Sequence, residues 1–117
     1  MSDIFKLNLS KAILAANGKP AKIADEPGKE REATVRDLLL TLMSAQAGLS
    51  GKETFLLTKM ALQISDESLS EVEVHPKRLD LLRKIIKENK GHQGQPIIGS
   101  LVQGQLFEAV GLGEDDL

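Results

Sequence analysis

The chain has 117 residues, a formal net charge of −2, no cysteine, no Trp, no Tyr and three Phe. That length suits one domain with a single core, which must be built from aliphatic side chains. Lack of cysteine excludes disulfides, thiolate metal sites and cysteine nucleophiles, and the charge balance provides no overall cationic excess for phosphate.

Met1–Pro20 has neither a basic start nor a long apolar run, so no secretory signal is expected there. No stretch approaches the roughly 20 apolar residues that span a bilayer, and no membrane contact is expected. Residues 4–9, IFKLNL, alternate: Phe5, Leu7 and Leu9 on one side, Lys6 and Asn8 on the other. That period predicts a half-buried strand. Asn17-Gly18 then marks a tight turn and predicts a hairpin over 12–24. A short helical turn over Ser10–Ala16, capped by Gly18, is the alternative. Residues 25–33, DEPGKEREA, are charged and contain Pro-Gly, and read as an exposed loop.

Helices are predicted over 35–47, 51–64, 76–89 and 96–110. Thr34 and Asp37 form a capping-box-like start for the first, with the Thr34 hydroxyl accepting an amide near Asp37. Val35, Leu38, Leu39, Leu42 and Met43 make its apolar stripe. Ser50 and Glu53 form a full capping box for the second. Phe55, Leu56, Leu57, Met60, Ala61 and Ile64 give that helix a face broad enough for more than one neighbour. Residues 70–74 alternate again, with Val72 and Val74 inward, and can pair with the first strand. His75-Pro76 opens the third helix, whose core stripe is Leu79, Leu82, Ile85 and Ile86. Pro96 can start the fourth. The domain thus divides into an N-terminal strand and hairpin region (1–24), a charged loop (25–33), a helical core (34–111) and a short acidic tail (112–117). The predicted fold is α+β, mostly α, with about four short helices and a small antiparallel sheet or hairpin from the N-terminal region.

The chemistry-bearing residues are sparse. His75 stands at a helix entrance and His92 in a glycine loop, with no His-x-x-x-His pair, so no metal site is expected. No G-x-S-x-G elbow surrounds a serine, and GHQGQPIIG lacks the Lys-Ser/Thr of a phosphate loop. Asp66, Glu67, Glu71 and Glu73 cluster in sequence on a predicted loop and an outward strand face, where burial would not shift them. No catalysis and no cofactor are expected.

AQAGLSGKETFLL, residues 45–57, has the form of a helix-turn-helix corner. The second helix, however, opens with Gly51, Lys52, Glu53 and Thr54 rather than base-reading donors. DNA reading by the 34–64 pair is therefore the alternative and nucleic acid is disfavoured. The third helix carries a basic face: Lys77, Arg78, Arg83, Lys84 and Lys87. It reads first as a solvated face and otherwise as a docking surface for an acidic partner or for nucleic acid. The candidate protein-interaction residues are Phe55, Met60, Ile97, Leu101 and Phe107, each of which could equally be core.

The order of motifs carries a resemblance. N-G-K-P comes first, then T-V-R-D-L-L-L-T-L-M, L-S-G-K-E, A-L-Q-I, E-V-E-V and a terminal I-I-G-S-L-V-Q-G-Q-L-F-E-A. Over most of the chain this resembles small proteins of tailed bacteriophages and prophages, often encoded among virion genes. The resemblance implies a non-enzymatic protein acting by protein–protein contact, such as a virion or tail assembly accessory or chaperone. Its implied partner is another virion protein or a second copy, as in an oligomeric structural subunit. The implied place is the host cytoplasm or the virion.

Overall fold

A computed structural model of the chain describes residues 4–91 and 93–117; His92 lies outside the described residues. The elements run β1 (Phe5–Asn8), β2 (Lys22–Glu26), β3 (Lys29–Glu32), α1 (Val35–Ser44), α2 (Gly51–Ile64), β4 (Glu71–Val74), α3 (Pro76–Glu88) and α4 (Ser100–Ala109), then a 3-10 turn at Glu114–Asp116. The fold is α+β and mostly helical, with two small antiparallel two-stranded sheets.

β1 pairs with β4 in the register Phe5–Val74, Leu7–Val72. Residues directly opposite in an antiparallel pair share a face, so Leu7, Val72 and Val74 are buried together, while Lys6 meets Glu73 on the exposed side. The two strands are far apart in sequence, and Arg36 secures their junction with the helices. Its amide donates to the Leu9 carbonyl at 3.2 Å. Its Nε donates to the Ile64 carbonyl at 2.8 Å, and Nη2 to those of Asp66 (3.1 Å) and Leu69. One guanidinium thus ties the start of α1 to the end of α2 and to the loop that leads into β4.

The predicted hairpin around Asn17-Gly18 forms, but with a three-residue loop instead of a two-residue one. Gly18, at φ +79°, donates to the Ala15 carbonyl at 2.9 Å, and the Ala15 amide donates to Lys19 at 2.8 Å. This is a turn closed by one left-handed residue; only Gly18, not Asn17, takes positive φ. The arms do not join β1. They close a ring of three backbone bonds instead: Ile13 to Ala33 (2.9 Å), Ala33 to Ala21 (2.8 Å) and Ala21 to Ile13 (2.7 Å). The loop expected over 25–33 is corrected to the second hairpin, β2–β3, turning at Pro27-Gly28. Its register sets Lys22 against Glu32, so the charges that suggest a loop sit as opposite-sign neighbours on an exposed ribbon.

The α1 cap forms at Thr34 and Asp37. Asp37 Oδ2 accepts from the Thr34 amide (2.9 Å) and hydroxyl (3.1 Å), and Arg31 grips the same carboxylate with two nitrogens at 2.6 and 2.8 Å. α1 ends at Ser44 instead of 47, where Gln46 folds back and its side-chain amide donates to the Leu42 carbonyl at 2.9 Å.

α4 starts at Ser100, not at Pro96, and the cause lies at the end of α3. Asn89, the C-cap of α3, is buried in a left-handed conformation, φ 46°. Its Oδ1 accepts from the amides of Ile97 (3.0 Å) and Ile98 (2.9 Å), and its Nδ2 donates to the Ile98 carbonyl at 2.8 Å. Lys90 and Pro96 form a bridge beside it. Residues 96–98 are thereby held out of the helix. α4 ends in paired bonds from Gly111 to Glu108 (3.0 Å) and Leu112 to Phe107 (2.9 Å), with Gly111 at φ +78°. A Cβ on Gly111 would come within 2.9 Å of the Phe5 ring, so this glycine is also where the last helix closes on the first strand.

The core is aliphatic and draws on β1, β4 and the four helices. Leu7, Leu9, Leu39, Leu42, Leu82, Ile85, Ile86 and Leu106 are fully enclosed. Removing the Asn89 carboxamide would orphan backbone groups around Ile98. Asn89→Ala is expected to cost about 2–3 kcal/mol in urea denaturation, and Asn89→Gly, which tolerates the left-handed backbone, less.

Burial raises the pKa of Asp37, but Arg31 and the Thr34 amide and hydroxyl outweigh it, and the carboxyl titrates below its ordinary 3.8. The folded state therefore holds this charge more tightly than the unfolded chain. Its contribution is complete above the unfolded value and is lost as pH falls through the lower folded one. Asp37→Asn should make the fall of Tm below about pH 4 shallower than in the wild type.

Candidate functional site

α2 starts as expected. Ser50 Oγ accepts from the Glu53 amide at 3.1 Å, and Glu53 Oε1 accepts from the Ser50 amide at 3.2 Å. Glu53 also reaches α3, where Lys84 Nζ lies 3.0 Å from its other oxygen. Lys84 and the Ser50 contacts hold the Glu53 carboxyl below its usual range, and Glu53 in turn raises Lys84. The residue that caps the helix is thus also the pin that orients it against α3.

With α2 so oriented, its broad apolar face divides. Met60 and Ile64 point into the core, at 1% exposure each. Phe55 and Leu62 point outward, at 62% and 67%. Between α1 and α2 lies a groove of about 430 Å³. Leu40 and Met43 supply one wall, and Leu57, Ala61 and Leu62 the other; Ser44, Thr54, Thr58 and Ser65 complete the lining, which holds no charged residue.

Three of those four hydroxyls are already occupied. Ser44 donates to the Thr41 carbonyl, Thr58 to Thr54 and Ser65 to Leu62, each at 2.9 Å. Burying a hydroxyl is costly mainly when its hydrogen loses a partner. Here the donors keep theirs whatever covers the groove. The surface therefore dries as an apolar one does, although its composition looks half polar.

The five predicted interaction residues do not form one patch. Met60 is corrected to core: a separation of five residues sets it about 140° round α2 from Phe55. Ile97 and Phe107 are half-buried and pack against the core. Leu101 is 62% exposed on α4, beside Leu14 in a separate cleft. There Gln105 clamps the Leu14 backbone, accepting its N–H at 2.7 Å and donating to its carbonyl at 2.8 Å. Phe55 remains exposed, with Lys59 Nζ 5.3 Å above its ring. Leu62 and the groove were not singled out from the sequence. The available signal was Leu62 itself, two turns on from Phe55 and outside the stripe that the core needs.

The predicted basic face has a structural share. Arg83 Nε donates to the Val110 carbonyl at 3.0 Å, and its guanidinium lies 6.0 Å from the Phe5 ring centroid. Lys84 is paired with Glu53, and Lys87 Nζ donates to the Asp116 carbonyl at 3.3 Å. Lys77 is exposed and Arg78 half-buried. Asp80, Glu88 and Asp116 line the same shallow cleft as Arg83, Lys84 and Lys87, so the face is of mixed sign.

Among the described residues, no group of three His, Cys, Asp or Glu gathers to hold a metal, and no helix is long and apolar enough to cross a membrane. The chain matches no protein-family model, no curated protein and no solved structure. What the site defines is thus a class of surface, an uncharged two-helix groove on a small α+β fold.

Arg83→Ala is expected to cost about 1–2 kcal/mol, since the Val110 carbonyl loses a charged donor, while Lys77→Ala stays within about 0.5 kcal/mol. Equilibrium urea curves of the two variants check this division of the basic face.

Proposed function

We propose that this protein is a non-enzymatic interaction module of a tailed phage or prophage, an assembly accessory that binds another virion protein through the α1–α2 groove. The setting is supplied by the resemblance in motif order described above, and with it the host cytoplasm, or the virion, as the place of action. The observation that carries the binding reading is the groove itself: apolar walls, a lining without charge, and three of four hydroxyls with their hydrogens already engaged. A groove between two helices suits an apolar helical segment, whose side chains replace water without leaving donors unpaired.

The carboxylates support the absence of catalysis from this reading. Contacts hold Asp37, Glu53 and Asp66 below their ordinary values, Asp66 chiefly through Ser68. A general acid working near neutrality needs the opposite shift.

The test is co-expression with the products of the flanking genes, followed by capture on tagged wild-type protein and on Thr58→Glu. Thr58 is exposed, so the variant keeps the fold while placing a charge on the groove rim. One head or tail protein held at moderate salt by the wild type, and weakened about 10-fold or more by Thr58→Glu, is the expected result. Equal capture by both removes the groove from the reading, and nucleic acid retained only at low salt replaces it with a binder of phosphate.

A further inference from the structure

We propose that Asn17 is a modification site, at which the chain converts its own asparagine to aspartate and isoaspartate with loss of ammonia. The reacting groups are the Asn17 carboxamide and the backbone nitrogen of Gly18, at the tip of the first hairpin.

The structure separates Asn17 from the other two asparagines of the chain, Asn8 and Asn89. Asn8 precedes Leu9, whose side chain is fully buried and whose amide is taken by the Ser70 carbonyl at 2.8 Å. Asn89 is itself buried, and both ends of its carboxamide are held on the backbone of Ile97 and Ile98. Asn17 is exposed and precedes an exposed glycine. A Cβ built on Gly18 would meet nothing within 4 Å beyond its chain neighbours, so the surroundings of its nitrogen are open.

The step needs only water. The Gly18 nitrogen loses its proton to solvent base and attacks Cγ of Asn17. The new N–Cγ bond closes a cyclic imide, the Cγ–NH2 bond breaks, and ammonia departs. Water then opens the imide. Opening at Cγ gives aspartate on an unaltered backbone. Opening at the main-chain carbonyl gives isoaspartate, in which the backbone runs through the former side chain and is one carbon longer.

The turn acts on this step in both directions. Negative charge develops on Oδ1 as the nitrogen adds, and Oδ1 already accepts from the Lys19 amide at 3.0 Å. Against this, the Gly18 N–H donates to the Ala15 carbonyl at 2.9 Å, so the nitrogen is not free to lose its proton until that bond opens. Hairpin tips open locally without global unfolding. An exposed bond of ordinary net strength slows the step about 10-fold. Once isoaspartate forms, the longer loop no longer fits the pair of bonds that join Ala15 to Gly18 and Lys19. The loosening stops at Leu14, whose N–H and carbonyl are both held by Gln105, at 2.7 and 2.8 Å.

The closing experiment incubates the purified full chain at mildly alkaline pH, folded and in urea, and maps the products by peptide mass spectrometry. Isoaspartate is scored by enzymatic methylation of its carboxylate. Folded chain should convert at Asn17 and keep Asn8 and Asn89 intact, with a rate that rises with pH and is about 10-fold below that in urea. The separated isoaspartyl product should lose amide-exchange protection at Ala15 and Gly18 and keep it at Ile13 and Ala33. Asn17→Asp retains the backbone length and a side-chain oxygen for the Lys19 amide, and should keep wild-type protection throughout. A folded chain that leaves Asn17 intact while the unfolded chain converts overturns the proposal. So does conversion of Asn8 or Asn89 in the folded chain as fast as that of Asn17. An isoaspartyl product protected like the wild type at Ala15 and Gly18 overturns the effect on the hairpin.

Discussion

The pairing of β1 with β4 joins the first described residues to the middle of the chain, and three helices are placed by it. α3 begins one residue after β4, at Pro76. α1 is held to the segment after β1 by the Arg36 amide, and its guanidinium holds the end of α2. Closing so long a loop is entropically costly, and the return comes from Leu7, Leu9, Val72 and Val74 entering one aliphatic core. A chain without Trp or Tyr has no single large side chain to organise such a core. Many medium-sized contacts do so instead, held in place by a few side chains that bridge distant backbone: Arg36, Asn89, Arg83 and Gln105.

Those bridges take up much of the polar chemistry that the sequence displays. Arg83, Lys84 and Lys87 form part of a basic face in the sequence, yet each is engaged with another part of the chain. Asn89 is the one buried polar residue of the described set, and both ends of its carboxamide are used on backbone. No buried side-chain nitrogen or oxygen among the described residues lacks a partner. At these positions charge and hydrogen bonding serve architecture, and the exposed side of α2 is left apolar at Phe55 and Leu62.

The α1–α2 groove follows from the same economy. α2 has more apolar surface than two neighbouring helices can cover. Burial of Met60 and Ile64, with the Glu53–Lys84 pair beside them, sets its rotation, so the surplus faces outward at Phe55 and Leu62. A surplus of this kind on a small domain lowers solubility unless something covers it. The internal bonds of Ser44, Thr58 and Ser65 suit it to being covered.

Local signals in the sequence determined the α+β class, the span of α2, the proline start of α3, and the alternation that pairs β1 with β4. Each rests on residues within a turn or a strand of one another, where period and capping act directly. The β2–β3 hairpin was not legible, because its strands are charged and gain order from cross-strand pairing and from the ring of bonds at Ile13, Ala21 and Ala33. The start of α4 was misplaced, because Pro96 is a valid local start and only Asn89, from the end of another helix, takes the amides that such a helix would leave unpaired. The groove itself was decided by tertiary structure alone. Sequence shows that α2 is apolar over a wide arc, but which part of the arc meets solvent depends on how α2 is turned against α1 and α3, and that is set by contacts between residues far apart in the chain.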